Sequence, residues 1–124
     1  MAQKQKVILD TNALLMPFQF GVNLDLELGR WVGECDVLVP SSVVGELKGL
    51  AGTDRHAKAA LELAQKYEIL EVEESGDASI LSLAMEKNGI VVTNDKELIQ
   101  ELRGSGIPVI SLRSRTHLVI EGLL

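Results

Sequence analysis

Thiols, aromatic rings and long apolar runs are scarce in this sequence, and each shortage removes a class of function. Cys35 is the single cysteine in 124 residues, so neither an internal disulfide nor a Cys-based zinc cluster is available. Flanked by Glu34 and Asp36 and close to a run that reads as a buried strand, it is expected to be a packed thiol. Phe18, Phe20, Trp31 and Tyr67 are too few rings for a surface that works by stacking successive bases. No apolar stretch approaches the roughly 20 residues that cross a bilayer. Met1 to Lys6 leads into a short strand rather than a signal-peptide core. These shortages predict a cytoplasmic chain with no membrane partner.

Other absences narrow the chemistry. There is no Gly-rich phosphate loop ending in Lys-Ser or Lys-Thr and no Gly-x-Gly-x-x-Gly after the first strand, which removes support for nucleotide-dependent switching. His56 and His117 lie far apart and outside metal-ligand spacing, so surface or packing roles are expected for both. Ser41 and Ser42 lack the histidine and acid of a hydrolase triad, and a helix cap is the simpler role.

Against these gaps stands a surplus of acid. Eighteen Asp and Glu against twelve Lys and Arg give a formal charge of −6, which at first argues against a nucleic-acid partner. If four of the acids ligate metal, the rest of the chain carries only −2, and bound cations invert the local field.

With 46% apolar residues and no linker, repeat or low-complexity tract, residues 1–124 are expected to form one domain. Short β-branched runs at Lys6–Leu9, Val37–Val39, Ile69–Val72, Ile90–Thr93 and Pro108–Ser111 read as strands. Between them run helical stripes: Val43, Val44, Leu47, Leu50 and Ala51; then Ala57, Ala60, Leu61 and Ala64; then Ile80, Leu81, Ala84 and Met85. A further helix is expected from about Lys96 to Arg103, capped by Asn94 and stopped by Gly104 and Gly106. Alternation of this kind predicts an α/β fold of three layers, α/β/α, around a mainly parallel sheet of about five strands. The tail from Arg113 to Leu124 reads as a last edge strand or an oligomer contact.

In such sheets ligands bind beyond the carboxyl ends of the strands. Asp10 ends the first strand, Asp95 follows the fourth, and Asp77 opens the third stripe after Ser75-Gly76. Glu46 lies about 100° off the centre of its helical stripe, on the flank. Singly, each acid caps a turn or meets a helix dipole as readily as it does chemistry. Jointly, all four placements are compatible with one edge of the sheet. Clustered carboxylates raise one another's pKa, so such a cluster implies a compensating cation. Hard oxygen ligands select Mg²⁺ or Mn²⁺ over zinc, and a carboxylate-held metal suits phosphodiester hydrolysis. A phosphoacceptor receiver domain is also small and acidic at its strand ends. It typically presents paired acids early, where this chain has only Asp10.

The ordered segments Val7-Ile8-Leu9-Asp10-Thr11-Asn12, Val39-Pro40-Ser41-Ser42-Val43-Val44-Gly45-Glu46-Leu47 and Val91-Val92-Thr93-Asn94-Asp95-Lys96-Glu97-Leu98 resemble the PIN domain across essentially the whole chain. Leu15 to Val22 looks most like small archaeal members akin to the endonucleases that process pre-ribosomal RNA in the small-subunit processome. The resemblance implies a five-stranded parallel sheet, metal-dependent endoribonuclease activity and often a homodimer. It implies that Asp10, Glu46, Asp77 and Asp95 hold the metal, with Thr11, Asn12, Thr93 and Asn94 orienting carboxylates or waters. Two departures stand out: many relatives carry adjacent acids where Ser75-Gly76 precede a single Asp77, and the Cys-rich segments of the eukaryotic processing enzymes are missing.

Lys48, Arg55, Lys58 and Lys96 are the candidate RNA-binding cations, while Met16 to Phe20 could line the substrate groove, form a protein interface or complete the core. The implied partners are an RNA substrate and a ribosome-assembly factor, or an antitoxin if the chain is the ribonuclease toxin of a toxin–antitoxin pair. A non-catalytic scaffold binding RNA or protein is the reading outside enzyme chemistry.

Overall fold

The computed structural model describes residues 4–114 and 117–122. Its strands are β1 (Gln5–Leu9), β2 (Cys35–Pro40), β3 (Glu68–Leu70), β4 (Ile90–Val92), β5 (Val109–Arg113) and β6 (His117–Glu121). Between them lie α1 (Thr11–Phe20), α2 (Leu24–Trp31), α3 (Ser41–Leu50), α4 (Arg55–Ala64), α5 (Gly76–Lys87) and α6 (Lys96–Gly104).

The strands form one sheet in the order β3-β2-β1-β4-β5-β6. The first five are parallel, matching the expected sheet, and β6 adds an antiparallel sixth. The edge-strand reading of the tail therefore holds for His117–Glu121; residues 115, 116, 123 and 124 lie outside the described part. Right-handed crossovers put α1, α3 and α4 against one face and α5 and α6 against the other, giving the three layers. Val7, Ile8 and Leu9 on β1 and Val91 and Val92 on β4 are wholly buried, as central parallel strands covered on both faces should be.

Two helices between β1 and β2 were not anticipated. α1 begins where Asp10 accepts a hydrogen bond from the Ala13 N–H at 2.8 Å and ends at Gly21, whose φ of 72° is left-handed. Pro17 sits inside it, and proline in a helix interior ordinarily argues for a break. The Met16 to Phe20 segment is thus helical and divided: Met16 enters the core while Phe18 and Phe20 stay largely exposed. α2 starts on the Asn23 side chain, which accepts from the Leu26 N–H at 3.0 Å.

Strand ends shift by one to two residues from expectation, and some differences have a visible cause. β3 stops at Leu70 rather than Val72, because the Val72 N–H turns to the Ser41 hydroxyl at 3.0 Å. The cap of α6 is Asp95, not Asn94: Asp95 accepts from the Glu97 and Leu98 N–H groups at 3.0 and 3.2 Å. Asn94 instead accepts from the Leu112 N–H on β5 at 3.1 Å. Met85, expected in the apolar stripe of α5, is 61% exposed. Cys35 is half-buried, and its thiol pKa is raised by burial and then by the Asp36 and Asp25 charges.

α2 is held at both ends. Asp25 accepts from the Tyr67 hydroxyl at 2.8 Å and pairs with Lys66 at 3.1 Å, just before β3. Glu27 accepts from the Leu118 N–H at 2.8 Å, and the Trp31 indole donates to the Leu118 carbonyl at 2.6 Å, on β6. Among the described residues, no helix is long and apolar enough to cross a membrane.

Candidate active site

Strand order reverses between β1 and β4, the place where an open parallel sheet leaves a crevice beyond its carboxyl ends. Asp10 leaves β1 there and Asp95 follows β4 by three residues. α3, leaving β2, carries Glu46, and α5 opens with Gly76 at φ 60° followed by Asp77. All four carboxylates line one cleft of about 80 Å³. A cleft this small and polar suits an ion and its waters. Larger hollows lie beside β3, about 310 Å³ and edged by Glu71, Glu73, Glu74 and Glu86, and between α1 and α4, about 450 Å³. Neither gathers the acids.

Asp10 is the most enclosed of the four, 6% exposed. One oxygen takes the Ala13 N–H and the other takes the Thr93 hydroxyl. Burial pushes its pKa to about 7, the Asp95 and Asp77 charges add to the rise, and the hydrogen bonds from Thr93 and Ala13 oppose it. The Asp77 carboxyl is also raised, by partial burial first and then by Asp95, Glu101, Glu97 and Glu46. Thr93, wholly buried, donates to Asp10 and accepts from the Asp95 N–H at 3.1 Å, tying the two strand-end acids together.

The donor set fits a hard divalent cation. Every ionisable group on the cleft wall is a carboxylate. Thr11 lines the same space, and its hydroxyl is buried with no partner. Among the described residues, no three acid, His or Cys side chains already stand as a closed cage.

The other expected residues divide. Asn12 lines the cleft and Thr93 bonds Asp10, but the Asn94 oxygen is committed to β5. Lys48, Arg55, Lys58 and Lys96 are all exposed, and none lines the cleft. Arg55 instead borders the hollow between α1 and α4 with Pro17, Phe18 and His56. His56 Nδ1 is buried and lacks a hydrogen-bond partner.

Ser42 was missed. Pro40, not a serine, is the residue before α3, and neither Ser41 nor Ser42 caps that helix. Ser42 lines the cleft and its hydroxyl lies 2.8 Å from that of Ser79. Its spacing of four from Glu46, one turn on the same helix face, was the available signal.

Comparisons with known proteins agree with this fold. Ribonuclease VapC4 of Methanocaldococcus jannaschii is 31% identical over 129 aligned residues, covering 96% of this chain and 98% of that protein. Ribonuclease VapC9 of Archaeoglobus fulgidus is 32% identical over 119, covering 92% and 87%. Among solved structures, the PIN domain endonuclease Utp24 superposes with a TM-score of 0.81 at 28% identity, over 96% of this chain and 92% of that one. A domain of a functionally unknown Methanocaldococcus jannaschii protein shares the fold at a TM-score of 0.66 and 20% identity, over 89% and 92%. Residues 7–115 match the family described as the PIN like domain, and this chain belongs to it.

Proposed function

We propose that this protein is a divalent-metal-dependent endoribonuclease that hydrolyses RNA phosphodiester bonds in the cleft of Asp10, Glu46, Asp77 and Asp95. The observation that carries the reading is the convergence of these four carboxylates, from two strand ends and two helices, on one small space at the sheet's switch point. The names of the two ribonuclease relatives and of the endonuclease with the same fold support it.

Each side chain has a part. Asp10 is held in one orientation by Ala13 and Thr93, and Asp95 is held by the first turn of α6. Glu46 and Asp77 approach from helices on the two faces of the sheet, and Thr11 and Asn12 line the cleft beside them. A bound Mg²⁺ or Mn²⁺ would supply Lewis acidity toward a phosphoryl oxygen and lower the pKa of a bound water. No cationic side chain lines the cleft, so Arg55, Lys58 and Lys96 are left to meet phosphates flanking the scissile one rather than the scissile group itself.

The test is cleavage of a structured RNA by wild type and Asp10→Asn with Mn²⁺, Mg²⁺ or chelator. Cleavage by wild type with metal alone is expected. A folded, fully active Asp10→Asn protein would sink the assignment, and a wild type that neither cleaves RNA nor binds metal would favour a scaffold. Two cytoplasmic settings share this chemistry: toxin activity held in check by an antitoxin, supported by the two VapC relatives, and ribosomal RNA maturation. Expression without a partner separates them, because a toxin arrests growth through its intact acids and a processing enzyme is tolerated.

A further inference from the structure

We propose that the hydroxyl pair of Ser42 and Ser79 is a latch that sets the separation of Glu46 and Asp77 across the cleft, making Ser42 a positioning residue for the metal these acids would hold. The inference rests on the metal-dependent reading above.

α3 and α5 lie against opposite faces of the sheet and meet beyond its strand ends. Ser42 and Glu46 stand one turn apart on α3, so they face the same way. Across the gap, the Ser79 hydroxyl donates to the Gly76 carbonyl at 2.7 Å. Gly76 directly precedes Asp77 and holds the left-handed φ of 60° that turns the chain into α5. A serine hydroxyl has one proton. With the Ser79 proton committed to Gly76, Ser42 must be the donor in the 2.8 Å contact. A directed series of bonds therefore runs from the helix of Glu46, through two hydroxyls, to the peptide that carries Asp77.

Two features distinguish this pair from ordinary helix packing. Ser79 is 1% exposed, and alanine there would pack at nearly the same volume with better helix propensity, so the hydroxyl is not needed to form α5. The Ser42 oxygen, its proton spent on Ser79, offers the cleft only lone pairs. A wall of carboxylates plus an accepting hydroxyl favours a cation whose bound waters donate outward.

The test is Mn²⁺ uptake by the metal-free protein, followed through the paramagnetic resonance signal of the free and bound ion. Wild type, Ser42→Ala, Ser79→Ala and the double variant are compared, with Asp10→Asn as the reference for a broken site. Each single variant is expected to bind roughly tenfold more weakly, the size of effect usual for groups that orient metal ligands. The double variant should bind no more weakly than the worse single, since all three lose the same Ser42–Ser79 bond. Melting temperatures should stay near wild type while the bound-ion spectrum changes alike in all three. Single variants that bind as wild type does, or a double variant losing the sum of two independent effects, overturn the latch. If wild type binds and Asp10→Asn does not, that failure is the latch's alone. If wild type itself takes up no Mn²⁺, the metal-dependent reading falls and the latch with it.

Discussion

Burying a carboxylate as deeply as Asp10 costs stability only while it is charged. Its pKa stands at about 7 in the folded chain against 3.8 for an ordinary aspartate. Between those values the folded, metal-free protein keeps a proton that the unfolded chain releases, so its stability falls as pH rises from about 4 to about 7. Asparagine at this position carries no such penalty. In chelator at pH 8, Asp10→Asn is expected to melt above wild type, by an amount on the order of 1.4 kcal/mol for each unit of the shift at most, and the difference should vanish near pH 4. Thermal melts at the two pH values check this, and a wild type that melts as high as the variant at pH 8 would contradict it. The same sign makes metal affinity climb with pH through about 7, because the cation must displace that proton.

At this scale the acids were legible and their companions less so. Asp10 and Asp95 follow apolar runs whose carboxyl ends are easy to locate, and Glu46 betrays itself by lying off its stripe. Ser42 could not be found in the same way, because a serine just before an apolar run looks like a cap. Lys48 does not line the cleft, because two residues beyond Glu46 is about 200° around a helix.

Among the elements, α6 shows one residue meeting two demands. Asp95 caps the helix through two backbone N–H groups and also borders the cleft. Asparagine can cap nearly as well and alanine cannot. Asp95→Asn should therefore keep a melting point close to wild type, whereas Asp95→Ala should lose about 1 kcal/mol. Both should lose RNA cleavage; retained cleavage in the asparagine variant would remove Asp95 from the site. Strands and amphipathic helices were readable because burial imposes periods of 2 and 3.6. α1 escaped since Pro17 interrupts its interior, and β3 was read too long since a long-range bond from Val72 to Ser41 ends it. Neither a tolerated proline nor a tertiary hydrogen bond leaves a local pattern.

For the whole molecule, the order of the sheet follows from its crossovers, but the way its outer margin is closed does not. Glu27 and Trp31, one turn apart on α2, take up both backbone polar groups of Leu118. Glu27→Ala leaves that N–H without its partner, and hydrogen exchange at Leu118 should accelerate strongly while Val91 and Val92 in the centre stay protected. Unchanged protection at Leu118 would show that the contact contributes little to holding β6.

The same grip bears on how copies of this chain can associate. A strand from another molecule needs a free ladder of backbone groups to join, and at Leu118 that ladder is already occupied by side chains of α2. The opposite margin offers only the three residues of β3, followed by Glu71, Glu73 and Glu74. Sheet extension is thus blocked on one flank and discouraged by brevity and charge on the other. Among the described residues, the helical faces therefore offer copies of this chain a readier contact than either margin of the sheet.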